Sequence, residues 1–179
     1  MERRDNYFIG VTLPEDLKGT IDGARGWMRT KWGNRSGMKT ECHITLVPPF
    51  ACDESVSGMK EILEGIKVPP VSVRVRGWGS FGERTIFARV ERSSSLELLK
   101  KEIEKRLREA SVPFRIDRRF TPHITIANRD IKPECFIPSM EYLNEIKLDT
   151  TFAVDSFMIF SFIDCTWRSG ENGRVSFSS

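Results

Sequence analysis

The sequence predicts an α+β fold built from two similar halves. Segments rich in β-forming residues alternate with amphipathic helical segments, in the order β, α, β, α, β, β, α, β, α, β, β. Each half repeats one succession: a strand, a helix, a short strand that carries a histidine, a helix and a further strand. A chain of 179 residues suits one domain of ordinary size, so we expect residues 1–179 to form a single domain with two lobes.

The first half begins with a strand over 7–13, and Pro14 then occupies a position that favours the start of a helix. This helix should end near Gly33, and apolar residues at helical spacing mark its buried side: Leu17, Ile21, Ala24 and Met28. A short strand over 42–47 should stop at the two prolines that follow, because proline cannot donate a sheet hydrogen bond. A second helix is predicted over 56–66, before another pair of prolines.

The middle of the chain has the clearest β pattern. Residues 71–76 alternate between apolar and polar, and residues 84–91 show the same alternation after a Gly-Glu turn. The two segments are therefore predicted to form paired strands. The helix that follows has an apolar side formed by Leu96, Leu99, Ile103 and Leu107. Its charges of interleaved sign indicate a solvated face rather than an RNA-binding surface. The remaining predicted elements are a strand over 123–127, a helix over 139–146, one long strand over 152–162 and a hairpin through 170–173.

Composition and charge exclude several classes of protein. With 39% hydrophobic and 30% charged residues the chain is neither disordered nor fibrous. The 28 Lys and Arg against 25 Asp and Glu leave a net charge of +3, too small to indicate a long duplex footprint but compatible with a local phosphate site. No apolar run approaches the length of a membrane span or of a signal peptide core, so we expect a cytoplasmic protein with no membrane partner. Four scattered cysteines without a CxxC pair predict free thiols.

The two histidines of the chain lie in nearly identical tetrads, His43-Ile44-Thr45-Leu46 and His123-Ile124-Thr125-Ile126. Side chains two positions apart on a strand point to the same face, so each histidine shares a face with a threonine while the aliphatic residues anchor the strand in the core. Because threonine is infrequent in this chain, chance is a poor explanation for a threonine two positions after both histidines. If the halves are related by an approximate twofold, both His-Thr pairs can surround one small volume.

This arrangement points to acid-base chemistry on a phosphate. Two imidazoles can supply one base and one acid near neutral pH, and two hydroxyls can bond phosphate oxygens. The competing interpretation, two buried histidines satisfied by backbone groups, fits one tetrad better than it fits a duplicated pair. A metal site would need a further ligand that no motif supplies, so we expect no metal and no other cofactor. Cys42 should point away from the face of His43, which disfavours a Cys-His nucleophile pair.

Weaker candidates flank these motifs. Three arginines could contact phosphate: Arg118, Arg119 and Arg129. Three aromatic residues could stack on a base, although such residues lie more often in the core: Phe50, Phe120 and Trp167. A loop over 33–37, rich in Gly, Ser and Asn, could be mobile and shape the entrance to the site.

The paired H-x-T-x motifs, about 80 residues apart, resemble those of the 2H phosphoesterase superfamily, specifically its branch of 2'-5' RNA ligase-like and RNA 2',3'-cyclic phosphodiesterase-like proteins. The element order extends this resemblance over nearly the whole chain. It implies a bilobal, pseudo-twofold fold in which two antiparallel sheets flank a central cleft, with the helices outside. Val47-Pro48-Pro49-Phe50 replaces a Lys-Phe-Leu-Gly-like stretch of the bacterial cyclic phosphodiesterases, and Asn128 intervenes before Arg129, which indicates a sister branch.

The resemblance also implies a function: a metal-independent phosphoesterase that opens a 2',3'-cyclic phosphate, or cleaves or joins 2'-5' phosphodiester links. The partner would be an RNA end or nucleotide, and we expect a monomer. His43 would be the proton donor and His123 the acceptor, while Thr45 and Thr125 would bind the phosphate. The alternative is a non-catalytic module that binds a nucleotide or RNA end in the same pocket. A generic RNA binder would need a basic, aromatic-lined track, which the interleaved charges disfavour.

Overall fold

The computed structural model describes residues 5–117 and 119–178, and over this part of the chain it has eight strands and four helices. The strands are β1 (Tyr7–Thr12), β2 (His43–Phe50), β3 (Val71–Phe81), β4 (Thr85–Val90), β5 (His123–Asn128), β6 (Asp149–Val154), β7 (Ser156–Ile163) and β8 (Thr166–Ser176). The helices are α1 (Glu15–Trp32), α2 (Val56–Leu63), α3 (Ser94–Glu109) and α4 (Pro133–Glu145), with a short 3-10 helix at Ser36–Met38. The order of strands and α-helices agrees with the predicted α+β order as far as α4, after which three strands follow rather than two.

The strands form two antiparallel sheets of four strands each. The order is β2-β1-β7-β8 in the first sheet and β5-β4-β3-β6 in the second. Each histidine strand forms an edge of its sheet and pairs with the strand that precedes it by one helix. The segment β1-α1-β2-α2 of the first sheet therefore corresponds to β4-α3-β5-α4 of the second, which confirms the predicted duplication and its two lobes.

The two histidine strands are amphipathic in the same way. Ile44, Leu46, Ile124 and Ile126 are at most 1% exposed, whereas the histidines and threonines between them are half-buried. One apolar core contains side chains of both sheets and of all four helices. Because the aliphatic residues of β2 and β5 are committed to this core, strand alternation turns the histidines and threonines towards the cleft.

The strand β2 continues through Pro48 and Pro49 to Phe50, so the predicted stop at the two prolines is wrong. The reason lies in its position, because an edge strand needs no sheet partner on its outer side. The register with β1 also shifts by a bulge between the Ile9–Val47 and Tyr7–Phe50 pairs. The prolines are therefore accommodated at an edge that faces the cleft.

The prediction of one long strand over 152–162 is wrong. Phe152 lies in β6 and pairs with β3 in the second sheet, whereas Phe160 lies in β7 and pairs with β1 in the first sheet. Only Asp155 separates the two strands, so the chain passes from one lobe to the other at this point. The apolar pattern is continuous across the break because both strands are buried against the same core, and it therefore contains no signal for the change of sheet.

The predicted hairpin turn at 170–173 is also wrong. The turn between β7 and β8 is made by Asp164 and Cys165, which have positive φ angles of 49° and 61°. Residues 170–173 lie inside β8, where the register changes between Phe160–Ser169 and Met158–Arg174. The glycines of this segment belong to a bulge, which has the same composition as a turn.

Three further boundaries differ from the prediction. The helix α2 ends at Leu63, three residues early, and β3 continues to Phe81 through a bulge between Val75 and Trp78. The helix α4 begins at Pro133 rather than at residue 139 and contains Pro138 in its second turn. Pro133 stands at the start of the helix, where proline is favoured because its missing N–H would have no partner. No helix of the described residues is long and apolar enough to span a bilayer.

Candidate active site

The edge strands β2 and β5 approach each other across the cleft and bring the two His-Thr pairs together. A cavity of about 720 Å³ is lined by His43, Thr45 and Thr125. His123 is not among the lining residues, but it shares a face of β5 with Thr125, which lines the cavity. The four residues singled out from the tetrads therefore lie around one site.

Both imidazole rings are held by the same backbone contact. Nδ1 of His43 donates to the carbonyl oxygen of Glu41 at 2.7 Å, and Nδ1 of His123 donates to the carbonyl oxygen of Thr121 at 2.8 Å. A carbonyl oxygen can only accept, so Nδ1 carries the hydrogen in both neutral rings. Nε2 is then the atom of each ring that is left to accept a proton or, once protonated, to donate one.

The surroundings of His43 favour its neutral form. Its ring lies against Phe8 and Phe160, with centroid distances of 4.6 and 5.1 Å. Burial lowers the pKa of His43 from 6.5 to about 4; the hydrogen bond to Glu41 opposes this change, and electrostatic repulsion, chiefly from the Arg25 guanidinium, adds to it. In the ligand-free protein His43 is thus neutral at pH 7, the state of a proton acceptor. The donor role that the family resemblance implies requires a bound phosphate to raise this pKa.

This pKa predicts a pH dependence of stability that belongs to His43. Between its unfolded value of 6.5 and its folded value of about 4, the unfolded chain binds a proton that the folded chain does not, so the free energy of unfolding decreases as the pH is lowered through this window. We expect the change from pH 7 to about pH 5 to cost the wild-type protein about 2 kcal/mol of unfolding free energy through this residue. Urea unfolding of the wild type and of His43→Asn at both pH values measures it.

The asparagine variant is the matched control, because its side-chain amide can still donate to Glu41 while it cannot titrate. Equal losses of stability in the two proteins would contradict the low pKa. An NMR titration gives the same information directly, and inorganic phosphate should raise the pKa of His43 if the anion lies beside it.

A buried arginine, Arg25, links the two lobes at the floor of the cavity. It projects from α1 with only 4% of its surface exposed and lines the cavity. Its Nε and Nη2 donate to the carbonyl oxygen of Thr125 at 3.0 and 2.7 Å, and its Nη1 donates to that of Thr40 at 3.1 Å. Burial lowers the pKa of Arg25, but a guanidinium remains charged at neutral pH. Arg25 therefore fixes the backbone of a phosphate-binding candidate and places a positive charge beside it.

Sequence reasoning missed Arg25, although a signal was present. On a helical projection, position 25 falls on the same side of α1 as Ile21 and Met28, four residues before it and three after it. A charged residue inside an apolar stripe is unusual and requires a partner. The partner, a carbonyl oxygen of β5, is 100 residues away in the chain and could not be identified from local pattern.

The loop between α1 and β2 forms a wall of the cavity through Arg35, Ser36 and Gly37. The carboxylate of Asp130 accepts from the backbone N–H groups of Arg35 and Ser36 at 2.7 and 2.9 Å, and from the Ser36 hydroxyl at 2.6 Å. Partial burial would raise the pKa of Asp130, but these hydrogen bonds hold it below its ordinary value. A Cβ at Gly37 would collide with the carbonyl oxygen of Ile126. The loop lines the cavity, and these contacts tie it to the second lobe; its predicted role at the substrate entrance stays a prediction.

The flanking candidates have different locations. Arg129 lines the cavity and its backbone N–H donates to Arg84 at 2.7 Å, whereas Arg119 is exposed and does not line it. Arg118 lies outside the described residues. Of the three aromatic residues, Phe50 and Phe120 are buried in the core, with 3% and 8% of their surface exposed. Trp167 lines the cavity and packs edge-on against Phe8 at 4.9 Å.

The electrostatics of the cavity favour an anion. Among the residues that the structure describes, four cationic residues line it, against one carboxylate, that of Asp130: Arg25, Arg35, Lys39 and Arg129. Asp130 is itself occupied by backbone and hydroxyl donors of the loop. The cavity thus combines positive charge, hydroxyl groups and the imidazole of His43, with His123 on the same strand face as the lining residue Thr125, and such groups suit a phosphate ester.

Other chemistries fit the site poorly. The Cys42 thiol is 1% exposed and donates to Asp22 at 3.0 Å, and burial raises its pKa to about 12. It is therefore a protonated thiol on the face opposite His43 and not a nucleophile. All four cysteines are free, as predicted. Within residues 5–117 and 119–178 no three His, Cys, Asp or Glu side chains are grouped as they would be to hold a metal ion.

Comparison with known proteins places this site in context. The family model described as the 2'-5' RNA ligase superfamily matches residues 13–162. A curated relative, RNA 2',3'-cyclic phosphodiesterase of Geobacillus stearothermophilus, is 32% identical over 138 residues, which are 71% of this chain and 43% of that protein. The matched segment thus spans less than half of the length of that relative.

Solved structures share the fold over nearly their whole length. Escherichia coli LigT in its apo form has a TM-score of 0.70 at 16% identity and covers 99% of this chain and 100% of its own. LigT complexed with 3'-AMP has a TM-score of 0.67 at 17% identity, covering 98% and 99%. The protein TT0787 of Thermus thermophilus has a TM-score of 0.65 at 21% identity, covering 96% and 97%. At these identities the likeness shows a common fold.

Proposed function

Because this chain belongs to the 2'-5' RNA ligase superfamily, we propose that it is a metal-independent phosphoesterase acting on RNA or nucleotide ends by two-histidine acid-base catalysis. Its substrate would be a 2',3'-cyclic phosphate, or a 2'-5' phosphodiester that it cleaves or joins. The observation that carries this proposal is the pair of imidazoles with matching backbone contacts, His43 and His123, beside a cationic cavity. The cyclic phosphodiesterase activity named for the Geobacillus relative supports it.

In the hydrolytic direction, water attacks phosphorus in line with the ribose oxygen that departs. Nε2 of one histidine takes a proton from the water as the new P–O bond forms, and Nε2–H of the other protonates the leaving oxygen as the old bond breaks. The ring is opened to a phosphate monoester, and the two histidines have exchanged protonation states. When a ribose 5'-hydroxyl takes the place of water, the same steps open the cyclic phosphate to a 2'-5' phosphodiester, and their reversal cleaves that diester to a cyclic phosphate and a free hydroxyl.

The phosphate is proposed to lie between the two strands. The hydroxyls of Thr45 and Thr125 can donate to its non-bridging oxygens, on which negative charge builds in the transition state. The guanidinium of Arg25 stabilises the same negative charge, and its hydrogen bonds to the carbonyl oxygen of Thr125 hold that residue in place. With positive charge supplied by these side chains, the reaction needs no cation from outside, which is the physical basis for proposing metal independence.

The test is an incubation of the protein, with chelator present, with 2',3'-cyclic nucleotides and with an oligoribonucleotide that ends in a 2',3'-cyclic phosphate. We expect a 2'-phosphate product from at least one of these substrates, formed at an unchanged rate when the chelator is omitted. A rate that collapses with the chelator would contradict metal independence. Binding of a nucleotide monophosphate without turnover of any cyclic phosphate would favour a non-catalytic binding module instead.

A further inference from the structure

An aromatic and basic surface adjoins His123 on the second sheet. We call it the platform and define it as Phe81, Phe87 and Arg89; Phe81 and Arg89 are exposed, whereas Phe87 is buried. Arg89 is the register partner of His123 on the neighbouring strand, and Phe87 is the partner of Thr125. The ring of Phe81 stands edge-on to His123 at 5.0 Å, and that of Phe87 lies 5.2 Å from it. The platform is thus continuous with the proposed catalytic histidine.

A glycine keeps this surface flat. An ideal Cβ at Gly79 would lie 2.7 Å from Nε of Arg89 and 2.8 Å from the ring of Phe87. These two side chains of β4 therefore lie across the backbone of β3 in the space that any other residue would occupy. Phe81 completes the surface, with its ring centroid 4.4 Å from that of Phe87.

The exposure of Phe81 and Arg89 is not explained by packing. Phe81 is the last residue of β3 and is 43% exposed, although most other large apolar residues of the second sheet are buried. Arg89 is exposed and has no carboxylate partner among the described residues. The neighbouring cations of the same face, Arg74 and Arg76, differ because both lie within 4 Å of Asp149. An exposed aromatic ring and an unpaired guanidinium on one face of a sheet, here with Phe87 between them, can bind a base and a phosphate of single-stranded RNA.

The platform lies outside the cavity but next to it, because Phe87 is the register partner of Thr125, which lines the cavity. None of the three platform residues lines the cavity, whose walls come from His43, Trp167, Thr125 and the α1–β2 loop. A cavity of about 720 Å³ is large enough for one terminal nucleotide and its phosphate. A chain that continues beyond that nucleotide must leave the cavity, and the platform is the adjoining surface with matching chemistry.

We infer that the platform binds the nucleotide that precedes the reacting end, with its base on Phe81 and its phosphate on Arg89. The substrate is then an oligoribonucleotide rather than a mononucleotide. This inference rests on the proposed function and narrows its substrate class. Because the platform also touches His123, the measured quantity is the ratio of kcat/KM for an oligonucleotide to that for a mononucleotide, in which any effect on the histidine itself cancels.

The experiment compares the wild type with Phe81→Ala and Arg89→Gln. The substrates are a 2',3'-cyclic mononucleotide and a short single-stranded oligoribonucleotide ending in the same cyclic nucleotide. We expect each variant to lower the oligonucleotide-to-mononucleotide ratio about tenfold, since loss of one base stack or one charged phosphate contact is of that size. The value of kcat/KM for the oligonucleotide should decrease as salt is added. Arg89→Gln should make this dependence shallower, reducing the magnitude of the slope of log kcat/KM against log salt by about 0.7, for the oligonucleotide alone.

The matched control is Arg108→Gln, which removes the same charge from the exposed side of α3, a helix on the buried face of the same sheet. It should leave the ratio and both rates unchanged. A ratio unchanged in both platform variants would overturn the inference while leaving the proposed function intact. If the wild type turns over neither substrate, the proposed function has failed, and fluorescence anisotropy with a 3'-phosphorylated oligonucleotide then decides the platform: equal affinity of wild type and variants overturns it, and weaker binding by the variants supports it.

Discussion

Replacement of either histidine by asparagine is expected to lower kcat for opening of the cyclic phosphate about a thousandfold while the protein remains folded. The asparagine amide can keep the hydrogen bond to Glu41 or to Thr121 that each Nδ1 makes, but it has no atom that exchanges a proton near neutral pH. General acid and general base catalysis by a positioned side chain each contribute about 10² to 10⁴ in rate. Initial rates with the cyclic substrate, together with circular dichroism of each variant, measure both parts of the expectation.

The double variant is expected to lose little more than either single variant. The two imidazoles act in one concerted proton exchange, so removal of one deprives the other of its function and the losses do not add. The chain has no third histidine that could substitute for them. Full turnover by His43→Asn or by His123→Asn would refute the two-histidine mechanism, and additive losses would indicate that the two side chains act independently.

The second large effect is expected at Arg25. Arg25→Met preserves the length of the side chain but removes the three N–H donors that serve Thr125 and Thr40. Both carbonyl oxygens would then lack their partner in a part-buried setting, at a cost of about 1–3 kcal/mol each. We expect the free energy of unfolding, measured in urea, to fall by about 3 kcal/mol. The rate of cyclic phosphate opening should also fall, because the backbone of Thr125 is no longer held.

A matched control lies on the same helix. Lys18 is partly exposed and pairs with Asp22 at 3.0 Å, and solvent screens such a surface pair. Lys18→Met should therefore leave the free energy of unfolding close to that of the wild type. Arg25→Lys keeps the charge but cannot serve two carbonyl oxygens with fixed geometry, so it should be intermediate. If Arg25→Met proved as stable as Lys18→Met, the two lobes would not depend on this arginine.

Residues close together in sequence carried most of what could be predicted. The alternation in β3 and β4 and the apolar spacing in α1 and α3 identified these elements, because both patterns repeat within a few residues. The duplicated tetrads identified His43 and His123 for the same reason. The errors lie where a local pattern is shared by two structures: a bulge in β8 has the composition of a turn, and β6 and β7 together have the pattern of one strand.

The sequence by itself determined the α+β class, the duplication and the two His-Thr pairs, since strand periodicity dictates which side chains share a face. Only the tertiary structure decided what surrounds those pairs. The contacts of Arg25 with Thr125, of Asp130 with the α1–β2 loop and of Arg89 with the space above Gly79 join residues distant in the chain or on different strands. Such contacts depend on how two sheets and four helices pack around one core, and no periodicity along the chain encodes them.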